Sequence, residues 1–336
     1  MHIGKSYRLT EFLHWTRRRI YVLVLVTAVP VVLYQWFGLK WIALPWAVIA
    51  VLGTATSFIV GFKNAQTYGR TLEAQQVWTT IATSSRYWGL ISRDFPIDRE
   101  KTTQLVYRHL AWLTALRYQL RTERVWESAA SQSNAEYRKS FFPVPEQETP
   151  LDQELRKYLA DDELAQLSPL RGKATRLMSA QSEAIRTLYA SQKIVVLHHT
   201  EMQKTLKDFI DQQSRAERIK NFPYPRQYAI INTIFVWSFA VLLPFGIVGE
   251  FDKLNAHAVG FLAGNMAWFA IPFSLLISWM YISLDQVGES TENPFEGGAN
   301  DVPMAQICRL LEIELKQMLG ESDVPSLPKP KNNIIL

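Results

Sequence analysis

The sequence predicts an all-α membrane protein with four transmembrane helices and a large helical extramembrane domain. Four apolar runs are long enough to cross a bilayer, since about 20 residues rising about 1.5 Å each span the hydrocarbon core. These runs cover 20–36, 42–62, 230–248 and 257–284. A polar block at 65–229 separates the second run from the third, and no segment has a convincing strand periodicity.

The distribution of charge predicts how these helices are oriented. The 336 residues carry a net charge of +5, which by itself is also typical of a nucleic-acid-binding protein. Here much of the surplus flanks the apolar runs, with Arg17, Arg18 and Arg19 before the first and Arg215 and Arg218 before the third. The loops at the opposite ends are short and carry little charge. By the positive-inside rule, both termini and the polar block are cytoplasmic, and the partner is the lipid bilayer rather than nucleic acid.

The first helix is predicted to have an interfacial part and a spanning part. Residues 1–19 place Phe12, Leu13 and Trp15 among basic residues, which is typical of an amphipathic helix at the inner membrane surface. Pro30 lies inside the first apolar run, where neighbouring helices can satisfy the carbonyl that it frees. No small-residue cleavage site follows this run, so we expect a span rather than a removed signal peptide.

The second apolar run carries two informative stripes. One stripe consists of three small residues spaced four apart, Gly53, Ser57 and Gly61. Such a stripe lets another helix approach closely. Thr54, Phe58 and Phe62 fall on the adjacent stripe, about 100° further round the helix. A helix that packs closely along one stripe and presents phenylalanines on the next is suited to line a narrow passage.

The polar block is predicted to be helical throughout. The second span is expected to continue past residue 62, and Trp78, Ile81 and Trp88 are expected in a core. Further helices are predicted at 107–120, 151–167 and 174–220, the last as one or two helices. The polar, proline-rich stretch at 126–150 is predicted to be a surface excursion.

Proline and glycine mark the last two spans. Pro244 and Gly246 predict a kink or an early exit of the third span. Gly260 and Gly264 have GxxxG spacing, which predicts close helix packing in the fourth span.

The C-terminal part is predicted to be a loop, a helix and a tail. Residues 285–303 have loop chemistry, and Asn300 or Asp301 is predicted to cap a helix that runs to about Leu319. The tail, 325–336, is predicted to be mobile. We therefore divide the chain into four segments: 1–64, 65–229, 230–284 and 285–336.

The sequence offers no catalytic or metal-binding constellation. Cys308 is the single cysteine, which excludes an intrachain disulfide and a thiolate cluster. His198, His199 and Glu201 lack HExxH spacing, so a metal-ligand role is disfavoured. No nucleophile–base pair or phosphate-binding loop is visible. We predict that the protein is not an enzyme and binds neither a cofactor nor a structural metal.

Several short motifs occur in order along almost the whole chain. They are Phe58–Asn64, Tyr68, Arg70, Glu73-Ala74, Trp78, Glu217-Arg218, Asn221–Pro225, Tyr228, Leu242–Phe245, Glu292–Phe295, Asn300–Pro303, Cys308, Glu312 and Leu315. Each motif alone is weak, but the set is specific: together they resemble the bestrophin family, specifically its bacterial branch. Only 126–180 matches that family poorly.

The resemblance implies a homopentameric channel for small monovalent inorganic ions, with one axial pore in the bacterial inner membrane. In the family, three residues at i, i+4 and i+8 of the second span form a narrow apolar neck. The matching positions are Thr54, Phe58 and Phe62. A second constriction, the cytosolic aperture, is formed in the family by an apolar residue before the Glu-Arg pair, and here it matches Leu197.

Two positions depart from the family pattern. Thr54 stands where an aliphatic residue is usual, so the top of the neck should be more polar. Animal members bind calcium with a run of acidic residues after Asn-Pro-Phe, but 296–301 holds two acids separated by glycines. Calcium favours six to eight oxygen ligands, several of them carboxylate. We therefore predict no calcium gating through this loop.

The sequence favours an anion such as chloride as the transported ion. The edges of phenylalanine rings carry partial positive charge, whereas their faces attract cations. Lys63 and Arg70 lie close to the predicted neck and add weight to the anion reading. A sodium-conducting or otherwise cation-selective channel is the alternative.

Other interpretations stay open at this point. Without the resemblance, Phe58 and Phe62 would be lipid-facing or core residues, and Leu197 would be a core residue. Arg70 and Glu73 are expected to form an intersubunit or intrahelix ion pair. A carrier is disfavoured because the spans carry no charge at mid-membrane. A membrane-bound scaffold that conducts nothing remains the alternative of a different class.

Overall fold

A computed structural model of the chain describes residues 1–128 and 131–336. Within these residues the secondary structure is helical, and the only β contacts are two isolated bridges, His2 with Ile334 and Lys331 with Ile334. The predicted all-α class is therefore confirmed. In chain order the α-helices are α1 (Leu9–Gln35), α2 (Trp46–Asp94), α3 (Arg99–Arg121), α4 (Gln132–Phe141), α5 (Pro145–Glu148), α6 (Leu151–Leu155), α7 (Asp161–Leu167), α8 (Lys173–Ala190), α9 (Val196–Asn221), α10 (Arg226–Lys253), α11 (Ala270–Ser290) and α12 (Met304–Met318).

Four helices, α1, α2, α10 and α11, are long and apolar enough to cross a membrane. The chain is thus a membrane protein, as the four apolar runs predict. The interfacial and spanning parts of α1 form one continuous helix, with Pro30 inside it. The 49 residues of α2 extend it to about 74 Å, far beyond a bilayer core of about 30 Å, so the predicted continuation past residue 62 is confirmed.

Small residues let the apolar helices pack closely. A Cβ added to Gly53 would lie 2.8 Å from the Phe239 ring of α10, and one added to Gly246 would lie 2.5 Å from Ile49 of α2. Ser57 also contacts α11, since its hydroxyl lies 2.5 Å from that of Tyr281. A Cβ added to Gly61 would meet no atom within 4 Å. The small-residue stripe therefore packs within this chain at Gly53 and Ser57 only.

The connection between the third and fourth spans differs from the prediction. Helix α10 continues through Pro244 to Lys253, so the early exit, one of the two predicted alternatives, does not occur. Gly260 and Gly264 adopt positive φ angles of 66° and 78° outside any α-helix. Their GxxxG spacing therefore packs no helices, and the fourth span, α11, begins only after four residues of 3₁₀ helix at Met266–Phe269.

The extramembrane part has an aromatic core. Trp78, Trp88, Trp112 and Phe209 are fully buried and join α2, α3 and α9 in one cluster. The predicted core positions Trp78, Ile81 and Trp88 are confirmed. The predicted helix at 107–120 is part of α3, 174–220 forms α8 and α9, and 151–167 is two short helices rather than one.

The predicted surface excursion and the C-terminal tail both contain residues that pack into one apolar cluster. The 126–150 stretch, whose residues 129–130 lie outside the described residues, contains α4 and α5 and is anchored by buried Tyr137 and Phe142. The C-terminal tail reaches the same cluster through Ile334 and Leu336, and the Leu336 carbonyl accepts a hydrogen bond of 2.9 Å from the Gln306 amide. These last residues are apolar and pack against that cluster, whereas the mobility predicted for 325–336 as a whole stays a prediction.

Candidate pore surface

One face of α2 is exposed along nearly the whole helix. Thr54, Phe58 and Phe62 lie on it, and 64% of Phe58 and 66% of Phe62 is accessible. The same face continues at intervals of three and four residues through Ala65, Gly69, Leu72, Gln76, Thr79, Thr83, Tyr87 and Leu90. We call this set, from Thr54 to Leu90, the exposed stripe. A core position for Phe58 and Phe62 within the chain is excluded.

The exposed stripe is uncharged. Each of its residues from Thr54 to Leu90 is apolar, glycine or uncharged polar. The side chains of Glu73 and Arg86 beside it are 39% and 41% exposed, and each forms an ion pair, with Arg218 and Glu314 respectively. The distance from Phe58 to Leu90 is about 48 Å, because 32 residues separate them in the helix. The stripe changes along this length from phenylalanine to threonine and glutamine, whose hydroxyl and amide groups can contact water.

A buried ion pair on the opposite side of α2 fixes the rotation of the helix. Lys63 Nζ donates to Asp285 Oδ1 of α11 at 2.6 Å, and Asn232 Nδ2 of α10 donates to the same oxygen at 2.5 Å. The two charged side chains are only 5% and 3% exposed. Lys63 directly follows Phe62, and successive helical residues point about 100° apart. Because Lys63 is held between α10 and α11, Phe62 points away from these helices, on the exposed face of α2.

Arg70, about two turns further along α2, holds the helix in a different way. Its Nε donates to the Glu292 carbonyl at 2.9 Å, and its Nη2 donates to the carbonyls of Ile219 at 2.8 Å and Phe222 at 3.0 Å. Ile219 lies at the C-terminal end of α9, where backbone carbonyls lack helical partners and a cation is favoured. Arg70 thus ties α2 to the end of α9 and to the loop after α11.

These contacts correct two expectations about charge. Glu73 forms its ion pair with Arg218 of α9, so the expected intrahelix pair between Arg70 and Glu73 is wrong. Lys63 and Arg70 both bind groups that lie away from the exposed stripe. The Asp285 carboxylate compensates the charge of Lys63, and backbone carbonyls accept the hydrogen bonds of Arg70. Neither residue places a free positive charge next to Phe62.

Leu197 lies at the other end of the exposed stripe. It occupies the first turn of α9 and is 76% exposed, so a core position within the chain is excluded. Two contacts hold this turn beside the end of α2: the Tyr87 hydroxyl donates to Glu201 Oε1 at 3.0 Å, and the rings of Phe95 and His198 stack with centroids 4.0 Å apart. The two predicted constrictions therefore sit at opposite ends of one continuous surface.

The polar residues around Leu197 are used for packing. The His199 ring contacts Tyr189 with centroids 5.0 Å apart, and His198 and Glu201 have the partners given above. Among the residues that the structure describes, no group of three or more histidine, cysteine or acidic side chains is placed to hold a metal ion.

The acidic residues of the loop after α11 turn inward. Glu292 forms an ion pair with Arg226, and Glu296 Oε1 accepts a hydrogen bond of 2.6 Å from the Ser128 hydroxyl. The side chains of both acids are at most a few per cent exposed. Protein donors thus already occupy oxygens of these carboxylates. The absence of calcium gating stays a prediction.

Asp301 has a different role from the one predicted. Helix α12 begins at Met304, and the Asp301 carboxylate makes no bond to its first turn. It accepts a hydrogen bond of 2.7 Å from the Gly297 amide and lies 3.4 Å from Arg121 Nη1. Burial raises the pKa of this carboxyl group, while Arg121 acts in the opposite direction. Asp301 closes the loop on itself instead of capping a helix.

Sequence reasoning found the phenylalanine end of the stripe and missed its polar continuation. The sequence does indicate this continuation, because Gln76, Thr79 and Thr83 recur at helical intervals and no charged residue lies between them. The partner of Lys63 was not accessible in this way, because Asp285 lies 222 residues further along the chain.

Comparisons with known proteins identify the family of this chain. The model of the family described as "Bacterial/Fungal Bestrophin protein" matches residues 15–317. The "Voltage-dependent anion channel-forming protein YneE" of Salmonella typhi is 26% identical over 309 residues, which cover 92% of this chain and 88% of that protein. The protein of the same name from Escherichia coli K12 is 24% identical over 294 residues, 87% and 82% of the two chains.

Solved structures give the same fold. A bacterial bestrophin homologue from Klebsiella pneumoniae superposes with a TM-score of 0.75 at 23% identity, covering 91% of this chain and 99% of that chain. Its L177T variant gives a TM-score of 0.74 at 24% identity, with coverage of 91% and 99%. Since the family model spans nearly all of the sequence, this chain belongs to the bacterial and fungal bestrophin family.

Proposed function

We propose that this chain forms a homopentameric anion channel whose pore wall is the exposed stripe of α2. Members of this family are channels and not enzymes. The observation that carries the proposal is the length of the stripe: from Phe58 to Leu90 it is an uncharged face about 48 Å long that no other part of the described chain covers. Five copies around one axis, the number that the family resemblance implies, would enclose a water column with this face. The partners of each chain are then the other four copies, the lipid bilayer and small inorganic ions.

Thr54, Phe58 and Phe62 form the neck of the proposed pore. Rings of apolar side chains narrower than a hydrated ion are barriers, because the ion sheds water without a polar replacement, and such rings gate by losing their water. Thr54 makes the first ring less apolar than the other two. Its hydroxyl donates to the Ala50 carbonyl at 2.9 Å, which leaves its lone pairs and methyl group to face the axis.

Anion selectivity is favoured by the names of the relatives, which are called voltage-dependent anion channel-forming proteins. Since Lys63 and Arg70 are engaged elsewhere, the selectivity rests on the phenylalanine edges rather than on a fixed cation. The same uncharged surface is the specific observation that keeps a cation-selective channel as the second candidate, because ring faces turned to the axis would attract cations.

Leu197 forms the second constriction of the proposed channel, at the cytosolic end. The chain lies in the bacterial inner membrane with both termini cytoplasmic, which the arginines that precede the apolar runs of α1 and α10 support. Residues 1–64 and 230–284 are then the membrane part, 65–229 the cytoplasmic part of the pore, and 285–336 the segment that connects the fourth span to this block.

Planar-bilayer recording tests the proposal directly. Purified protein in a sodium chloride gradient should give single-channel steps whose reversal potential lies near that of chloride. Phe58→Ala and Phe62→Ala should widen the neck and raise the conductance. Leu197→Ala should change the relative permeability of chloride and sodium with little effect on folding. Native mass spectrometry should give five chains per complex.

Phe273→Ala is the matched control. Phe273 lies on the membrane helix α11, is half exposed and is not on the exposed stripe. Its truncation should leave conductance unchanged. Equal conductance in wild type, both neck single variants and the double variant would remove Phe58 and Phe62 from the pore. A reversal potential near that of sodium would favour the cation-selective candidate, and silent membranes with every variant would favour a scaffold.

A further inference from the structure

A cavity of about 200 Å³ lies outside the exposed stripe, between the start of α1, α4 and the loop after α11. Its walls are largely aromatic and aliphatic, and the principal apolar side chains are Phe12, Trp15, Tyr137, Phe142 and Val287. Neither the proposed pore nor the ion pairs described above use this cavity.

The polar hydrogens of the three aromatic side chains on its walls that carry one are already donated to protein acceptors. Tyr7 donates to Asn300 at 3.0 Å, Trp15 Nε1 donates to Asn134 at 2.8 Å, and the Tyr137 hydroxyl donates to Glu11. A polar ligand would lose its bonds to water and find few groups ready to replace them. An apolar ligand has no hydrogen bonds to water to lose, and its transfer out of water into the cavity is favourable. The wall chemistry therefore selects an apolar molecule.

The loop that forms one wall is fixed in place. Gly297 has a φ angle of 92°, and its amide is held by the Asp301 carboxylate. A Cβ added to Gly298 would lie 2.8 Å from Asp301 Oδ1, so the loop closes tightly around that side chain. Because this loop is fixed, it cannot move inward to fill the cavity, and the cavity stays open.

Several residues that line the cavity lie in the sequence next to the ends of apolar runs. Trp15 precedes the arginines and the apolar run of α1, and Val287 comes just after the apolar run of α11. Leu9 and Leu13 flank Phe12 on the start of α1 and are 67% and 38% exposed. Apolar side chains exposed on a helix start beside a membrane span are expected to lie among lipid chains. A lipid of that leaflet is thus the nearest source of an apolar ligand.

From these observations, we propose that the cavity binds an alkyl chain. The volume suits a segment of such a chain, since an apolar cavity of about 150 Å³ takes up a molecule of the size of benzene. A chain bound here would contact α1, α4 and the loop after α11 together. The chain comes from a phospholipid of the adjacent leaflet or from a free single-chain amphiphile, which present the same methylene groups.

Photolabelling of the full-length protein in lipid nanodiscs tests this. The first probe is an eight-carbon alkanol carrying a diazirine, and the second is a phosphatidylcholine with a diazirine in one acyl chain. Labelled positions are read by peptide mass spectrometry. We expect saturable labelling within 7–15, 137–142 or 287–300 that octanol without the diazirine reduces at least fivefold. Labelling by both probes assigns a lipid chain, and labelling by the alkanol alone assigns a free amphiphile.

Val287→Trp fills the cavity, and Leu284→Trp is its matched control. Leu284 lies one turn earlier on α11 and is 48% exposed, so the same bulk is added outside the cavity. Val287→Trp should abolish the saturable labelling, while Leu284→Trp should leave it intact. Phe142→Ala, which enlarges the cavity, should admit a longer alkanol.

Labelling that never saturates, or that is equal in wild type and Val287→Trp, would mean that the probes only partition into lipid and would overturn the proposal. So would labelling of lipid-facing residues with none at the cavity walls. Where Val287→Trp fails to fold, Phe142→Ala decides the matter through the chain-length dependence. None of these readouts depends on ion conduction.

Discussion

Replacing Asp285 with alanine should destabilise the protein strongly. The carboxylate accepts bonds from Lys63 at 2.6 Å and from Asn232 at 2.5 Å, and both partners are buried. Its removal leaves a buried ammonium group and a buried amide without their acceptor. Because Lys63 is the residue after Phe62, the same substitution should also loosen the rotation of α2 at the proposed neck.

The size of the effect follows from the burial of the pair. Breaking a buried ion pair by removing one partner costs about 3–5 kcal/mol, whereas replacing both partners by apolar residues of similar volume is often neutral or stabilising. The two side chains are only 5% and 3% exposed, so solvent does not screen the pair and the full energetic cost is expected. Asp285→Ala should therefore lower the apparent melting temperature by on the order of 10 °C. The double variant Lys63→Met/Asp285→Leu should recover most of this loss.

The assay is thermal unfolding in detergent, followed by tryptophan fluorescence and by loss of the soluble oligomer at a fixed heating rate. Glu289→Ala is the matched control, since Glu289 lies one turn further on α11 and its pair with Arg19 is 3.1 Å long and 26–35% exposed. A control that destabilises as much as Asp285→Ala would refute the reasoning. So would a double variant as unstable as the single one, because the loss would then come from packing rather than from the unpaired charge.

Three other predictions follow from packing and burial. Gly53→Ala should destabilise α2 through contact with Phe239, whereas Gly69→Ala, which meets no atom within 4 Å, should stabilise the helix by up to about 1 kcal/mol; melting temperatures of both variants test this. Burial lowers the pKa of His109 to about 3, so between pH 6.5 and 3 the unfolded chain binds a proton that the folded chain lacks, and stability falls as the pH falls. This costs about 1.4 kcal/mol per pH unit, and His109→Gln should make the fall in melting temperature from pH 7 to pH 5 shallower. Burial raises the pKa of the Cys308 thiol to about 12, so a maleimide should label it only after unfolding, which mass spectrometry of the intact chain can measure.

The features that sequence predicts well here are those set by local periodicity. Helix α2 follows from apolar spacing that runs past Lys63 without proline, and the buried rings of Trp78 and Trp88 follow from the same spacing. The errors occur where a distant segment decides the outcome. Gly260 and Gly264 have the spacing of a helix contact, but they lie in a turn whose course depends on the end of α10.

Buried charges are a second source of error. A lysine at the end of an apolar run suggests a charge facing water, and nothing near Lys63 in the sequence indicates otherwise. Its partner lies on a helix 222 residues away, and only the packing of α2 against α11 brings the two together. Likewise, Asp301 has the position of a helix cap, but the positive φ angle of Gly297 lets the loop turn back on its carboxylate. Such pairings depend on tertiary structure, so local rules miss them.

The length of the exposed stripe bears on whether Phe58 and Phe62 face lipid or water. An exposed phenylalanine on an apolar helix is compatible with either environment. A lipid-facing stripe should end where the hydrocarbon core ends, after about 30 Å, and give way to charged residues in water. The stripe of α2 instead continues for about 48 Å from Phe58 to Leu90 on one face and passes through threonine and glutamine, and none of its residues is charged. A surface that stays uncharged on both sides of the membrane boundary is better explained by one continuous environment along its whole length, which is what a pore provides and lipid does not.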